Sequence, residues 1–130
     1  MIKTHHIGYL VKSMEDSRRE FLNLGYTETA AVVYDESRKI NICFLENAGV
    51  VVELVEPDED CDFLKGLKKK IGVGAYHICY ECDDFEKDIK RLSENGYLVV
   101  KEAAVAPAIN GRKVAFLYAP DMGLIELLEK

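Results

Sequence analysis

The hydrophobic positions of the chain change their spacing several times, and each change predicts a different element. Residues 5–11 form an extended, strand-like run, and the apolar side chains of residues 21–24 lie on one face of a helix. Ser13, with Asp16 three residues later, is a typical helix N-cap, and Gly25 is a typical helix end. The start of the chain therefore predicts a strand followed by a helix.

Three β-patterned segments come next. A turn at residues 47–49 separates the last two of them, and the segments themselves span residues 26–34, 39–45 and 50–55. The first half of the chain is thus predicted to fold as one strand, one helix and three further strands.

The second half of the chain predicts the same order of elements. Asp83 or Asp84 caps a helix that Gly96 ends, and its apolar positions recur at i, i+4 and i+7, namely Phe85, Ile89 and Leu92. Three predicted strands follow, at residues 97–105, 112–118 and 124–128.

Short motifs occur in both halves, which indicates an internal duplication. The shared segments are residues 6–9 and 77–80 and the Gly-Tyr pairs at 25–26 and 96–97, both offset by 71 residues, and residues 53–56 and 126–129, offset by 73. We therefore predict one α+β domain of two tandem βαβββ modules, residues 1–57 and 75–130, joined by a linker at residues 58–74. Each module is too small to bury its apolar face well, so we expect one curved half-barrel sheet with the helices outside.

Composition supports a folded domain and disfavours a membrane span or nucleic-acid binding. The chain has 130 residues, of which 48% are hydrophobic and 31% charged, with no apolar run of the roughly 20 residues that a membrane span needs. A net charge of −6 disfavours nucleic acid, and we expect a cytoplasmic protein. Cys79 and Cys82 lie on a predicted strand, where side chains at i and i+3 point to opposite faces, so we expect buried structural thiols.

Two glutamates interrupt strands that are otherwise apolar. Glu53 and Glu126 occupy equivalent places in the two halves, and each half also carries a histidine at an equivalent place, His6 and His77. A buried carboxylate requires a counter-charge, and two histidines with two carboxylates carry a charge of −2, which a divalent cation cancels. The alternative is two hydrogen-bonded His–Glu couples without a metal. His5 points to the opposite face of its strand and is not expected to be a ligand.

Several motifs give the chain a resemblance to a known superfamily. These motifs are the two segments at residues 6–9 and 53–57, together with residues 72–78, 111–117 and 123–127. They resemble the vicinal oxygen chelate superfamily, and the second half is most similar to methylmalonyl-CoA epimerase, followed by glyoxalase I. The resemblance implies that His6, Glu53, His77 and Glu126 bind a divalent metal ion such as zinc, cobalt or nickel.

The resemblance also implies an activity. A metal-dependent enzyme of this kind abstracts a proton next to a carbonyl through a metal-stabilised enolate, with Glu126 or Glu36 as the base, although Glu36 is equally consistent with a solvated loop residue. The expected substrate is an acyl-CoA thioester or, for a lactoylglutathione lyase, a glutathione hemithioacetal, and we expect a homodimer. A bleomycin-resistance-type binding protein is a further alternative, but such a protein needs no metal ligands.

Overall fold

The computed structural model describes residues 2–130, which fall into two compact units. The first unit is His6–Tyr76, and the second comprises residues 2–5 together with His77–Lys130. The elements that begin before residue 74 are β1 (Ile2–Leu10), α1 (Met14–Asn23), β2 (Thr27–Glu28), β3 (Val33–Asp35), β4 (Ile40–Asn47), β5 (Val50–Pro57) and α2 (Asp62–Ile71).

The remaining elements repeat this order without a counterpart for α2. They are β6 (Gly74–Cys82), α3 (Phe85–Glu94), β7 (Leu98–Ala106), a 3-10 turn at Pro107–Ile109, β8 (Arg112–Ala119) and β9 (Gly123–Glu129). The mixed α+β class is confirmed, and so is the strand, helix and strands order of both halves. The predicted linker at residues 58–74 contains helix α2.

Each unit contains a sheet in which the first and last strands of a half run side by side. In the first unit β1 pairs in parallel with β5, β5 pairs with β4, and β2 and β3 both pair with β4. In the second unit β6 pairs in parallel with β9, β9 with β8, and β8 with β7. Parallel neighbours cannot be joined by a tight turn. In each half the helix and the intervening strands therefore connect the two paired strands.

The prediction of one strand over residues 26–34 is wrong. Residues 29–32 are exposed and lie outside any strand, between β2 and β3. The register explains the break: Glu28 pairs with Leu45 and Val33 with Ile42, so four residues on one side face two on the other. The extra residues leave the ladder and loop outward, as in a large β-bulge.

The apolar core of each unit lies on the sheet face that its helix covers. In the first unit the buried core residues are Val11, Met14, Cys43, Leu45, Val52 and Leu54. In the second unit they are Cys82, Phe85, Ala115, Leu117, Ile125 and Leu127. Strand residues alternate between faces, so the residues between these positions, including Glu53 and Glu126, point away from the helices.

The Gly-Tyr repeat has a structural explanation at the ends of α1 and α3. Gly25 has φ +101° and donates its N–H to the Leu22 carbonyl at 3.0 Å, while Tyr26 donates to Phe21 at 3.1 Å. This is a Schellman motif, and the rings of Phe21 and Tyr26 make its hydrophobic contact at 5.0 Å. Gly96 and Tyr97 repeat the same bonds after α3. The N-caps are Ser13 and Asp84, as the sequence predicts.

A carboxylate of β5 stabilises the start of α1, although the two residues are 42 positions apart in the sequence. Glu56 accepts a hydrogen bond from the Met14 backbone N–H at 2.7 Å and another from the Asn41 side chain at 2.9 Å. The Met14 N–H is one of the helix donors that have no partner inside the helix. Glu56 thus fixes both the helix and the neighbouring strand to β5.

We predict that Glu56→Ala lowers the free energy of unfolding by about 1–3 kcal/mol, because two partly buried donors lose a charged acceptor. Urea denaturation followed by circular dichroism measures the change. Glu46→Ala, on the exposed part of β4, is the matched control and should stay within about 0.5 kcal/mol of the unmodified protein. Equal stability of the two variants would contradict the assignment.

Candidate metal centre

In the first unit a histidine and a glutamate meet on neighbouring strands. Gly8 of β1 is paired with Glu53 of β5, and His6 lies two residues before Gly8, so its side chain is on the same face as Glu53. His6 Nε2 is 3.5 Å from Glu53 Oε1, and the two side chains are 0% and 6% exposed. The structure therefore brings these two predicted ligands together in a buried position.

The second unit holds an equivalent pair. Cys79 of β6 is paired with Glu126 of β9, and His77 shares the face of Cys79. His77 Nε2 lies 3.2 Å from Glu126 Oε1, with side-chain exposures again of 0% and 6%. Both predicted His–Glu pairs thus form within their own modules by the same strand geometry.

A phenylalanine accompanies each pair. Phe44 of β4 faces Glu53 across the ladder, and its ring meets the His6 ring edge-on at 5.3 Å. Phe116 of β8 faces Glu126 and meets the His77 ring at 5.2 Å. The two phenylalanines are 72 residues apart, between the offsets of 71 and 73, so the repeat contained the signal.

The donor atoms of both pairs fit a divalent cation. Each pair offers one imidazole nitrogen and one carboxylate oxygen, which zinc, cobalt and nickel accept as ligands. A hydrogen-bonded couple accounts less well for His6 and Glu53, whose separation of 3.5 Å exceeds the usual N–H···O range of about 2.7–3.2 Å. The 3.2 Å between His77 and Glu126 fits either a hydrogen bond or a pair of metal ligands.

Glu36 lies in the turn between β3 and β4, and its side chain is exposed. The residue before it, Asp35, is only 1% exposed, although sequence reasoning did not select it. Asp35 accepts hydrogen bonds from Ser37 Oγ at 2.7 Å, from the Arg38 backbone N–H at 3.1 Å and from Arg38 Nη1 at 2.7 Å. An Asp followed by Ser and Arg two and three residues later is the signal for such a turn.

These contacts determine the charge state of Asp35. Burial acts to raise the pKa of its carboxyl, but the hydrogen bonds from Ser37 and Arg38 and the charge of Arg38 outweigh burial and lower the pKa below its ordinary value. Asp35 is therefore an anion that organises the turn.

Three more hydrogen bonds hold the Glu36 turn in place. Lys39, at φ +62°, donates its N–H to the Asp35 carbonyl at 2.8 Å and accepts from the Asp58 N–H at 3.0 Å. Tyr34 donates its hydroxyl to Asp58 at 2.6 Å, and this bond raises the pKa of Tyr34 to about 12. The backbone on both sides of Glu36 is thus fixed by its own neighbours.

Several basic side chains lie on α2 and at the start of β8. Lys65, Lys69 and Lys70 are exposed on α2, and Lys65 pairs with Asp62. Arg112 donates to Glu81 and to the Glu129 carbonyl, and its hydrogen bond lowers the pKa of Glu81.

All four cysteines are buried thiols, which confirms the expectation for Cys79 and Cys82. Burial is the main cause that raises the pKa of both Cys43 and Cys82 to about 11, so these two thiols stay protonated near neutral pH. Cys82 belongs to the core of the second unit, whereas Cys79 shares the face of Glu126. The prediction that Cys79 and Cys82 point to opposite faces is confirmed.

The chain is similar to proteins of a known family. A family model described as Glyoxalase/Bleomycin resistance protein/Dioxygenase superfamily matches residues 5–116. The chain belongs to this superfamily. The Bacillus subtilis (strain 168) protein YqjC is 30% identical to it over 135 residues, which takes in 99% of this chain and 93% of the relative.

One further relative and one similar solved structure are epimerases. The ethylmalonyl-CoA/methylmalonyl-CoA epimerase of Cereibacter sphaeroides is 26% identical over 128 residues, or 96% of each chain. The crystal structure of methylmalonyl-CoA epimerase from Mycobacterium tuberculosis has a TM-score of 0.82 and 20% identity, covering 97% of this chain and 86% of that one. The fold of this superfamily member is therefore that of the vicinal oxygen chelate proteins. Within residues 2–130, no helix combines the length and the apolar character needed to cross a membrane.

We predict that Asp35→Asn destabilises the protein by about 1–3 kcal/mol at pH 7, because the charged acceptor of three hydrogen bonds is lost. The lowered pKa of Asp35 means that its stabilisation is full above the pKa of the unfolded chain, about 3.9, and disappears as pH falls through the lower folded value. The gap in unfolding free energy between Asp35→Asn and the unmodified protein should therefore shrink below about pH 4.

Urea denaturation at several pH values measures this gap. Asp62→Asn, which changes a side chain that is 87% exposed, is the matched control and should show a much smaller difference at every pH. A constant gap for Asp35→Asn down to pH 2 would show that the carboxylate charge is not what stabilises the turn.

Proposed function

We propose that this protein is a divalent-metal-dependent enzyme that abstracts the proton next to the carbonyl of an acyl-CoA thioester, as a methylmalonyl-CoA epimerase does. The observation that carries the proposal is the buried His–Glu pair that occurs at the same strand positions in both modules. The epimerase names of its relatives support an acyl-CoA substrate.

In this proposal His6 and Glu53 of one module, together with His77 and Glu126 of the other, would hold one divalent cation. The two carboxylates contribute a charge of −2 against the doubly positive ion, so the buried charges balance. When bound, the ion polarises the substrate carbonyl and stabilises the negative charge that proton loss leaves on its oxygen.

The chain's own residues supply the remaining functions. Phe44 and Phe116 pack edge-on against the two imidazoles, which restricts the orientation of the imidazole rings. Glu126 and Glu36 are the two candidate bases. Glu36 combines an exposed carboxylate with a backbone that Asp35 fixes, so the carboxylate is accessible to a substrate proton.

The ligand assignment predicts a difference between two adjacent histidines. His6→Ala should lose most of the bound metal, because a buried nitrogen ligand is removed, whereas His5→Ala should keep it, because His5 is not one of the four proposed ligands. Elemental analysis of protein purified and then dialysed against zinc gives the stoichiometry. One zinc per chain in both variants would reject His6 as a ligand.

The reaction itself is tested by solvent deuterium exchange. Protein loaded in turn with cobalt, nickel and zinc should introduce deuterium at the acidic carbon of methylmalonyl-CoA, observed by NMR, and should leave the hemithioacetal of methylglyoxal and glutathione unchanged. Deuterium entry into the hemithioacetal alone would identify a lactoylglutathione lyase instead. Exchange in neither substrate would contradict both enzymatic functions.

Glu36→Gln makes the same experiment sensitive to the base. If Glu36 takes the proton, the exchange rate falls by about 10²–10⁴-fold, while metal content stays unchanged because Glu36 is not a ligand. An unaltered rate would leave Glu126 as the base.

A further inference from the structure

Strand β7 is irregular at one lysine. Leu98 and Val99 pair regularly with Tyr118 and Leu117 of β8, but the next paired residue is Lys101, opposite Phe116, and the ladder resumes with Ala104 opposite Val114. The register shifts on both sides of Lys101. A regular ladder continued from Val99 would place Val100 opposite Phe116, so the first shift replaces a valine with a lysine at that position.

The shift determines the face on which Lys101 lies. Directly opposed residues of an antiparallel pair share a face, so Lys101 lies on the face of Phe116. Phe116 is in turn opposite Glu126 and in ring contact with His77. Lys101, Phe116 and Glu126 therefore form one row across β7, β8 and β9. Bulges beside functional sites commonly redirect a side chain in this way.

The other cations of these strands are placed differently. Arg112 is held by Glu81 and the Glu129 carbonyl, and Lys113 precedes Val114 and so points to the opposite face. Lys101 is exposed and lies two strands from Glu126, so their backbones are about 10 Å apart. The flexible four-carbon side chain of lysine can span much of this distance. An anion approaching a protein of net charge −6 needs such a local cation.

We propose that Lys101 binds the free carboxylate of the acyl group and makes the site selective for 2-substituted malonyl thioesters over uncharged acyl thioesters. This inference rests on the proposed function and narrows its substrate class. The carboxylate of such a group is only two bonds from the carbon that loses its proton, so an ammonium group on the row of Glu126 is suitably placed. The phosphates of coenzyme A are the competing anions, and the test separates them.

The test is calorimetric binding to zinc-loaded protein with three thioesters and, as a reference, with coenzyme A alone. Methylmalonyl-CoA carries both the carboxylate and the phosphates, propionyl-CoA lacks the carboxylate, and methylmalonyl-pantetheine lacks the phosphates. The variants are Lys101→Gln, which removes the charge, Lys101→Arg, which keeps it, and Lys113→Gln as the matched control on the opposite face. Urea denaturation checks that all of them fold.

We expect Lys101→Gln to weaken the binding of both malonyl ligands about tenfold, as the loss of one charge-assisted hydrogen bond predicts. The affinity for propionyl-CoA should stay unchanged. Lys101→Arg should restore most of the affinity, and Lys113→Gln should have no effect.

Three results would overturn the inference. If Lys101→Gln weakened the binding of propionyl-CoA as much as that of methylmalonyl-CoA, and left the binding of methylmalonyl-pantetheine unchanged, Lys101 would be assigned to the phosphates. Unchanged affinity for every ligand would show that Lys101 does not touch the substrate. If the unmodified protein bound methylmalonyl-CoA no better than coenzyme A alone, the proposed function itself would fail, and the inference with it.

Discussion

The burial of a carboxylate in an apolar strand is the constraint on which this structure depends. Glu53 and Glu126 are 5% and 4% exposed, in strands whose neighbouring residues form the apolar cores. Removing such a charge from water costs several kcal/mol, so each glutamate needs a compensating group within reach. The parallel pairing of the first and last strands of each module provides it, because it places a histidine beside each glutamate. The same alternation that fills the core on one face creates the polar pair on the other.

Duplication explains why the compensation occurs twice. The repeat preserves the N-caps, the Schellman motifs after α1 and α3, and the phenylalanine opposite each glutamate, although few other side chains match. These are the positions where backbone geometry or a buried charge leaves few acceptable residues. The shared residues are thus those with a structural or chemical requirement, and the superfamily match over residues 5–116 includes most of them.

The features that distinguish the two modules lie at their edges. The Glu36 turn, stabilised by the buried Asp35, has as its counterpart the 3-10 turn Pro107–Ile109, which carries no acid. The bulges around Lys101 have no matching lysine in β2 or β3. The duplicated modules supply two equivalent His–Glu pairs. Proton transfer and substrate selection, in contrast, each need one side chain on one side of the substrate. Asymmetry in the edge strands and turns is a direct way to provide such groups.

The sequence by itself determined the helices, their caps, most strands and the four ligand candidates, because each depends on local spacing or on a residue type that an apolar strand does not tolerate. It did not determine the break between β2 and β3, the burial of Asp35 or the face of Lys101. Those features depend on register, and the register of an edge strand is decided by the strand beside it rather than by its own residues. Only the tertiary structure could therefore show that a lysine, and not the valine before it, is paired with Phe116.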